Sequence, residues 1–133
     1  MSHYLILLAI VPLSCFELTK LFHCKHRSMI CGIAIGLVIA PISFALLEFT
    51  YLPIIGKLLG LIGLLANLSH GSIGYLCLIG CGVLEPDVQI SALQFTMINL
   101  INGMFFAYTY GVLGYVIDRK RNQKGLVRKV LFV

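Results

Sequence analysis

The sequence predicts an all-α integral membrane protein: a compact bundle of four transmembrane helices followed by a basic C-terminal tail. Three observations lead there. Charge is scarce, with ten Lys and Arg and five Asp and Glu making up 11% of 133 residues, where soluble domains carry about 25%. The charges are also clustered, which leaves residues 28–47, 58–84 and 88–117 without any formal charge. Each of these stretches reaches the roughly 20 apolar residues that a helix needs to cross a bilayer. Finally, 59% of the chain is apolar, above the approximate 45–50% of a globular domain. A soluble protein of this length would scatter charge along every exposed helix face. Disorder is excluded as well, because disordered chains are poor in Leu, Ile, Val and Phe.

The first span covers about residues 4–22. No Lys or Arg precedes its apolar run and no small-x-small cleavage site follows, so it reads as a retained span rather than a signal peptide. Glu17 and Lys20 fall in its second half, share a helix face and either pair or reach for the interface. A basic loop, 23–27, follows. The second span, 29–51, has Pro41 in its middle, which removes a backbone hydrogen bond and predicts a kink. Tyr51 suits the headgroup level, and Pro53 closes the helix.

The third span, 57–83, has the most polar interior. As one straight helix the stretch 57–84 would be roughly 42 Å long at about 1.5 Å per residue, more than the roughly 30 Å hydrocarbon core. Asn67, Ser69, His70 and Ser72 lie at its centre. The sequence favours one long, tilted helix with a polar waist over two half-helices broken near His70 and Gly71. A break is tolerated only where the freed backbone is buried in protein or lines a cavity. An acidic turn at Glu85, Pro86 and Asp87 leads to the fourth span, 91–117. The chain thus divides into a transmembrane domain, 1–118, and a tail, 119–133, lying on the membrane surface.

Orientation follows from positive charge in short loops. The count decides for four crossings with both termini cytoplasmic, which places Lys57 and the tail residues Arg119, Lys120, Arg121, Lys124, Arg128 and Lys129 inside, with Lys25 and Arg27, and Lys20 at the border, outside. A re-entrant third segment would instead bring the basic first loop and the tail to one side and move the N-terminus to the other. A bacterial inner membrane is the favoured location, an organelle membrane the alternative. The six tail cations imply anionic lipid headgroups as partners, not nucleic acid.

Small residues recur every four positions. Gly32, Gly36 and Ala40 follow Ser28 in the second span; Gly103, Ala107 and Gly111 follow Asn99 in the fourth; Gly56 and Gly60, then Gly63, Asn67 and Gly71, mark the third. Such spacing sets them on one helix face and lets backbones approach closely. The expected outcome is a tight bundle, a homo-oligomer, or association with another membrane protein.

Asn67, Ser69 and His70, with Asn99 and Asn102 opposite, form the candidate intramembrane polar site. Polar groups at that depth face the bundle interior or water. One reading is a proton or ligand position; the other is interhelical hydrogen bonding from His70 to Asn99 or Asn102. His23, Cys24, His26 and Cys31 lack the spacing of a zinc site, and Lys25 and Arg27 among them repel a cation. Cys77 and Cys81, one turn apart, read as packing residues. No phosphate-binding loop, dinucleotide fingerprint, metalloprotease or serine-hydrolase motif is present. The expectation is therefore a non-enzymatic protein without cofactor or metal. It reads first as a membrane interaction or assembly subunit, and alternatively as a small oligomeric channel or transporter with a polar pathway in its third and fourth spans.

Overall fold

The computed structural model describes residues 7–51, 53–86 and 89–131, with side chains up to Gln123. Among these residues the chain is all-helical: α1 (Ile10–Leu21), α2 (Arg27–Glu48), α3 (Ile55–His70), α4 (Ser72–Gly80) and α5 (Ala92–Leu131). A 3-10 turn at Phe49–Tyr51 prolongs α2.

The scaffold is the antiparallel pair α2 and α5, held together by the two small-residue ladders. Gly32 lies against the Tyr110 carbonyl, Gly36 against the backbone of Phe106 and Ala107, and Gly114 against the Ser28 carbonyl. A Cβ at any of these would overlap backbone, which cannot swing aside. Without it the helix backbones touch directly and gain dispersion along their length. Pro41 sits inside α2 and gives no N–H to the Leu37 carbonyl one turn back. Gly103 fits beside that carbonyl, which would stand 3.2 Å from a Cβ added there. Ala34, Val38, Ala40, Ala45 and Ala107 are buried as well.

Two helices are long and apolar enough to cross a membrane: α2 with its 3-10 extension, Arg27–Tyr51, and the Ala92–Gln123 part of α5. The expected first span is shorter than that. Its helix, α1, has 12 residues, about 18 Å at 1.5 Å per residue, and residues 4–6 of the expected span lie outside the described residues. It stops because the chain turns at Phe22 and His23, the latter in the left-handed region at φ 50°. The expected fourth span runs on instead of ending at 117: α5 is one helix of 40 residues, so no break in the backbone marks the 118/119 boundary.

The expected continuous third helix is broken. The α3–α4 pair bends by 40° at Gly71. The bend falls in the polar waist: the Gly71 N–H keeps the ordinary helical bond to the Asn67 carbonyl (2.6 Å), and a Cβ on Gly71 would overlap Asn67.

The path of this pair is set by its neighbours. Gly60 lies against Thr50 and Gly63 against Leu46 and Leu47, so α3 starts beside the C-terminal end of α2 and climbs along it. After the break, Gly74 meets Ile98 and Leu78 packs with Leu84 and Ile98. Gln94, in the first turn of α5, donates to the Val83 carbonyl at 3.4 Å. The chain therefore enters α3 and enters α5 at the same end of the α2–α5 pair. At the opposite end Asp118 of α5 holds the start of α2, accepting from the Ser28 N–H (3.2 Å) and the Met29 N–H (3.0 Å). The basic first loop and the start of the tail thus share one end, whereas four consecutive crossings would have separated them.

Candidate polar site at the helix break

Each group in the site has a position dictated by the break. Bending a helix frees backbone groups, and in an apolar surrounding each unsatisfied one costs on the order of 1–3 kcal/mol. Asn102, on the face of α5 toward the pair, meets both demands. Its Nδ2 donates to the Gly71 carbonyl at 2.9 Å, and its Oδ1 accepts from the Gly74 N–H at 2.6 Å. The side chain is 0% exposed. An amide is the right group here, since it offers a donor and an acceptor side by side.

His70 ends α3 and is half-buried. Its Nδ1 lies 3.0 Å from the Ala66 carbonyl and 2.7 Å from Ser69 Oγ. A carbonyl can only accept, so the neutral ring carries its proton on Nδ1 and leaves Nε2 to accept from the Tyr110 hydroxyl, its partner across the interface. Phe106 packs against the same imidazole, its ring tilted by 49° with centroids 4.4 Å apart. The expected bond from His70 to Asn99 or Asn102 is therefore replaced by one to Tyr110. The physical reason is register: Asn102 is taken up by Gly71 and Gly74, while Asn99 turns its Nδ2 to the Phe95 carbonyl of its own helix at 2.9 Å.

Asn67 reaches Ser43 of α2, whose Oγ lies 3.5 Å from Asn67 Oδ1 and donates more closely, at 2.7 Å, to the Ala40 carbonyl. Ser69 is exposed and bonds back to the carbonyls of Leu65 and Ala66. Asn67, Asn99 and Asn102, with Ser72 and Gly71, line a cleft of about 360 Å³ that opens between Phe44, Tyr75 and Phe95. Among the described residues no charged side chain lines it. A second cavity, about 400 Å³, lies nearer the tail and is bordered by Cys31, Gly32, Tyr110 and Gly114. Tyr110 is thus on the wall of one cavity while its hydroxyl bonds the histidine at the tip of the broken pair.

Of the five polar residues singled out from sequence, the structure brings Asn67, Asn99 and Asn102 to one cleft, sets His70 beside it and turns Ser69 away. Of the six ladder residues, Gly32, Gly36, Gly103, Ala107 and Gly111 lie in the α2–α5 contact within the chain, and Ala40 is buried. Arg119, Lys120 and Arg121 are exposed on the last part of α5; the side chains of Lys124, Arg128 and Lys129 lie outside the described residues. Cys77 and Cys81 are exposed rather than packed, and all five cysteines are free thiols. Glu17 and Lys20 form no ion pair with each other. No group of three or more metal-type side chains comes together among the described residues.

Sequence reading missed Ser43, Tyr110 and Asp118. Tyr110 was within reach, because Asn102, Phe106 and Tyr110 repeat every four residues beside the small-residue ladder and so define a second face of α5. Asp118 is the only carboxylate in α5, but its partner is the backbone of α2 some ninety positions away, and no local pattern marks that. No family model, no curated protein and no solved structure matches this chain.

Proposed function

We propose that this chain is a small, multi-pass, non-enzymatic membrane protein that admits a small uncharged polar solute to a site at the tip of a re-entrant helix pair. In this reading α2 and α5 cross the bilayer, the first span expected from the sequence crosses as well, and the segment between α2 and α5, with α3–α4, dips in and returns. The observation that carries it is the cleft at the break, lined among the described residues by three asparagines and no charge, with His70 bonded to Tyr110, which borders the cavity nearer the tail. Broken helices place such sites near the bilayer midplane because the freed backbone and its amide partners are the polar groups available there. The basic end, with Lys20, Lys25, Arg27 and the tail, is cytoplasmic; the N-terminus is then on the opposite side.

The assembly reading loses the feature that first supported it, since both ladders are spent inside the chain. Association would use another face, and the exposed stripe Leu58, Leu61, Leu65 and Leu68 on α3 is equally suited to lipid.

Reconstituted vesicles test the proposal, with water, urea and glycerol as probes in stopped-flow light scattering. The protein should accelerate the entry of at least one probe over protein-free vesicles, and Asn99→Leu should abolish most of that gain. Asn99 bonds only within its own helix, so the substitution leaves the fold standing. Equal rates with and without protein, or an undiminished Asn99→Leu, would reject the reading.

A further inference from the structure

At the end of the bundle where the first loop meets α5 lies a cavity of about 390 Å³ whose wall includes Lys20, His23, Lys25, Arg27, Arg121 and Asn122. Four of these are permanent cations drawn from three parts of the chain. The carboxylate on the same wall, Asp118, has both oxygens engaged by the Ser28 and Met29 amides, and among the described residues no ion pair joins it or any other carboxylate to these cations. Like charges gathered round one cavity repel one another, and a bound anion turns that repulsion into attraction. Arg27 is held in place, its guanidinium carbon 4.0 Å from the centroid of the Phe16 ring, so its fork of donors is presented rather than searching.

We propose that this cavity binds the phosphate of one anionic lipid headgroup per chain. The inference rests on the membrane reading above but is independent of the cleft at the break. A phosphate needs several convergent N–H donors, which two arginines, two lysines and Asn122 supply. A lipid is favoured over free phosphate because apolar surface continues from the rim: Phe16, Leu21, Phe22 and Ile117 are exposed beside it, where acyl chains would lie. The position, at the junction of the apolar helices and the first basic loop, is that of the headgroup layer. Basic pockets between membrane helices hold such headgroups in this way. The site is a built pocket on the helices, distinct from any diffuse attraction by the tail cations Lys124, Arg128 and Lys129.

Native mass spectrometry of the full chain in mild detergent tests this, with phosphatidylglycerol and phosphatidylcholine as competing probes. The wild type should retain one phosphatidylglycerol in preference to phosphatidylcholine. Lys25→Gln with Arg121→Gln removes two exposed cations and should weaken that retention about 30-fold. The tail variant Lys124→Gln/Arg128→Gln/Lys129→Gln should stay within about threefold of wild type, less than the about fivefold expected for one pocket charge. Helical circular dichroism checks that each variant folds, and should the double variant fail, Lys20→Gln alone should give about a fivefold loss. Wild-type retention in a folded pocket variant overturns the proposal, as does loss in the tail variant equal to that in the pocket variant. Displacement by millimolar inorganic phosphate with no preference between the lipids would identify free phosphate as the ligand and overturn the headgroup assignment. Failure of the flux assay leaves these outcomes untouched, so the two readings fall separately.

Discussion

Asn102 and Asp118 solve the same problem at two heights of one helix: each offers a side chain of α5 to backbone groups that another helix cannot satisfy for itself. Asn102 serves both sides of the break at Gly71. Replacing it by Leu, of similar volume, leaves the Gly74 N–H and the Gly71 carbonyl unpaired in a dry contact. A loss on the order of 1–3 kcal/mol is expected in reversible unfolding in detergent, with Asn99→Leu costing far less. Asp118 caps α2, whose preceding residue, His26, makes no side-chain cap of its own. A carboxylate there answers the free N–H groups and the positive end of the helix together. Asp118→Ala should cost about 1–2 kcal/mol, and Asp118→Asn less, since an amide oxygen still accepts. Equal losses from Asn and Ala would mean that the capping geometry carries nothing.

At the scale of the element, helix–helix approach decides which glycines matter. Gly36 faces backbone on α5, whereas Gly80 has nothing within 4 Å of a Cβ placed on it. Gly36→Ala should therefore destabilise by about 1–3 kcal/mol, as overpacking does, while Gly80→Ala should be neutral or stabilise by up to about 1 kcal/mol through helix propensity. The same unfolding measurement reads both. These elements also mark how far the sequence alone reaches. The small-residue ladders were legible because a spacing of four is a local property of a helix, and so were α2 and the apolar part of α5. What the ladders face was not legible, since a small-residue stripe fits a neighbour in the same chain or in another equally well. The break at Gly71 was visible as a polar waist but not as a break, because Gly71, Asn67 and Asn102 decide it jointly from two helices. Asn102 and His70 were both picked out as polar groups in need of partners; their pairing went astray because the choice between Gly71 and His70 depends on the angle of α4, which no local pattern encodes.

For the whole molecule, the decisive feature is that α3 and α5 begin at one end of the α2–α5 pair. The consequence is electrostatic. Among the described residues, Lys20, Lys25, Arg27, Arg119, Lys120 and Arg121 gather at the opposite end, and Lys57 is left with Glu48 and Glu85 at the first. Four consecutive crossings would split the basic groups between both faces of the membrane; the re-entrant arrangement proposed above would separate them almost completely, as the positive-inside rule favours. Exposure has the same logic. Only 33% of the most apolar window of each long helix is buried within the chain, as expected of helices whose outer faces meet lipid.

The central claim is therefore a topology, and labelling single cysteines in a cysteine-free background with a membrane-impermeant maleimide tests it directly. Positions 25, 57, 85 and 122 suffice, each replaced by cysteine in turn and probed before and after the membrane is permeabilised. The re-entrant arrangement predicts that 57 and 85 label from one side and 25 and 122 from the other. Labelling of 57 and 85 from opposite sides would contradict it, because the third segment would then cross the membrane.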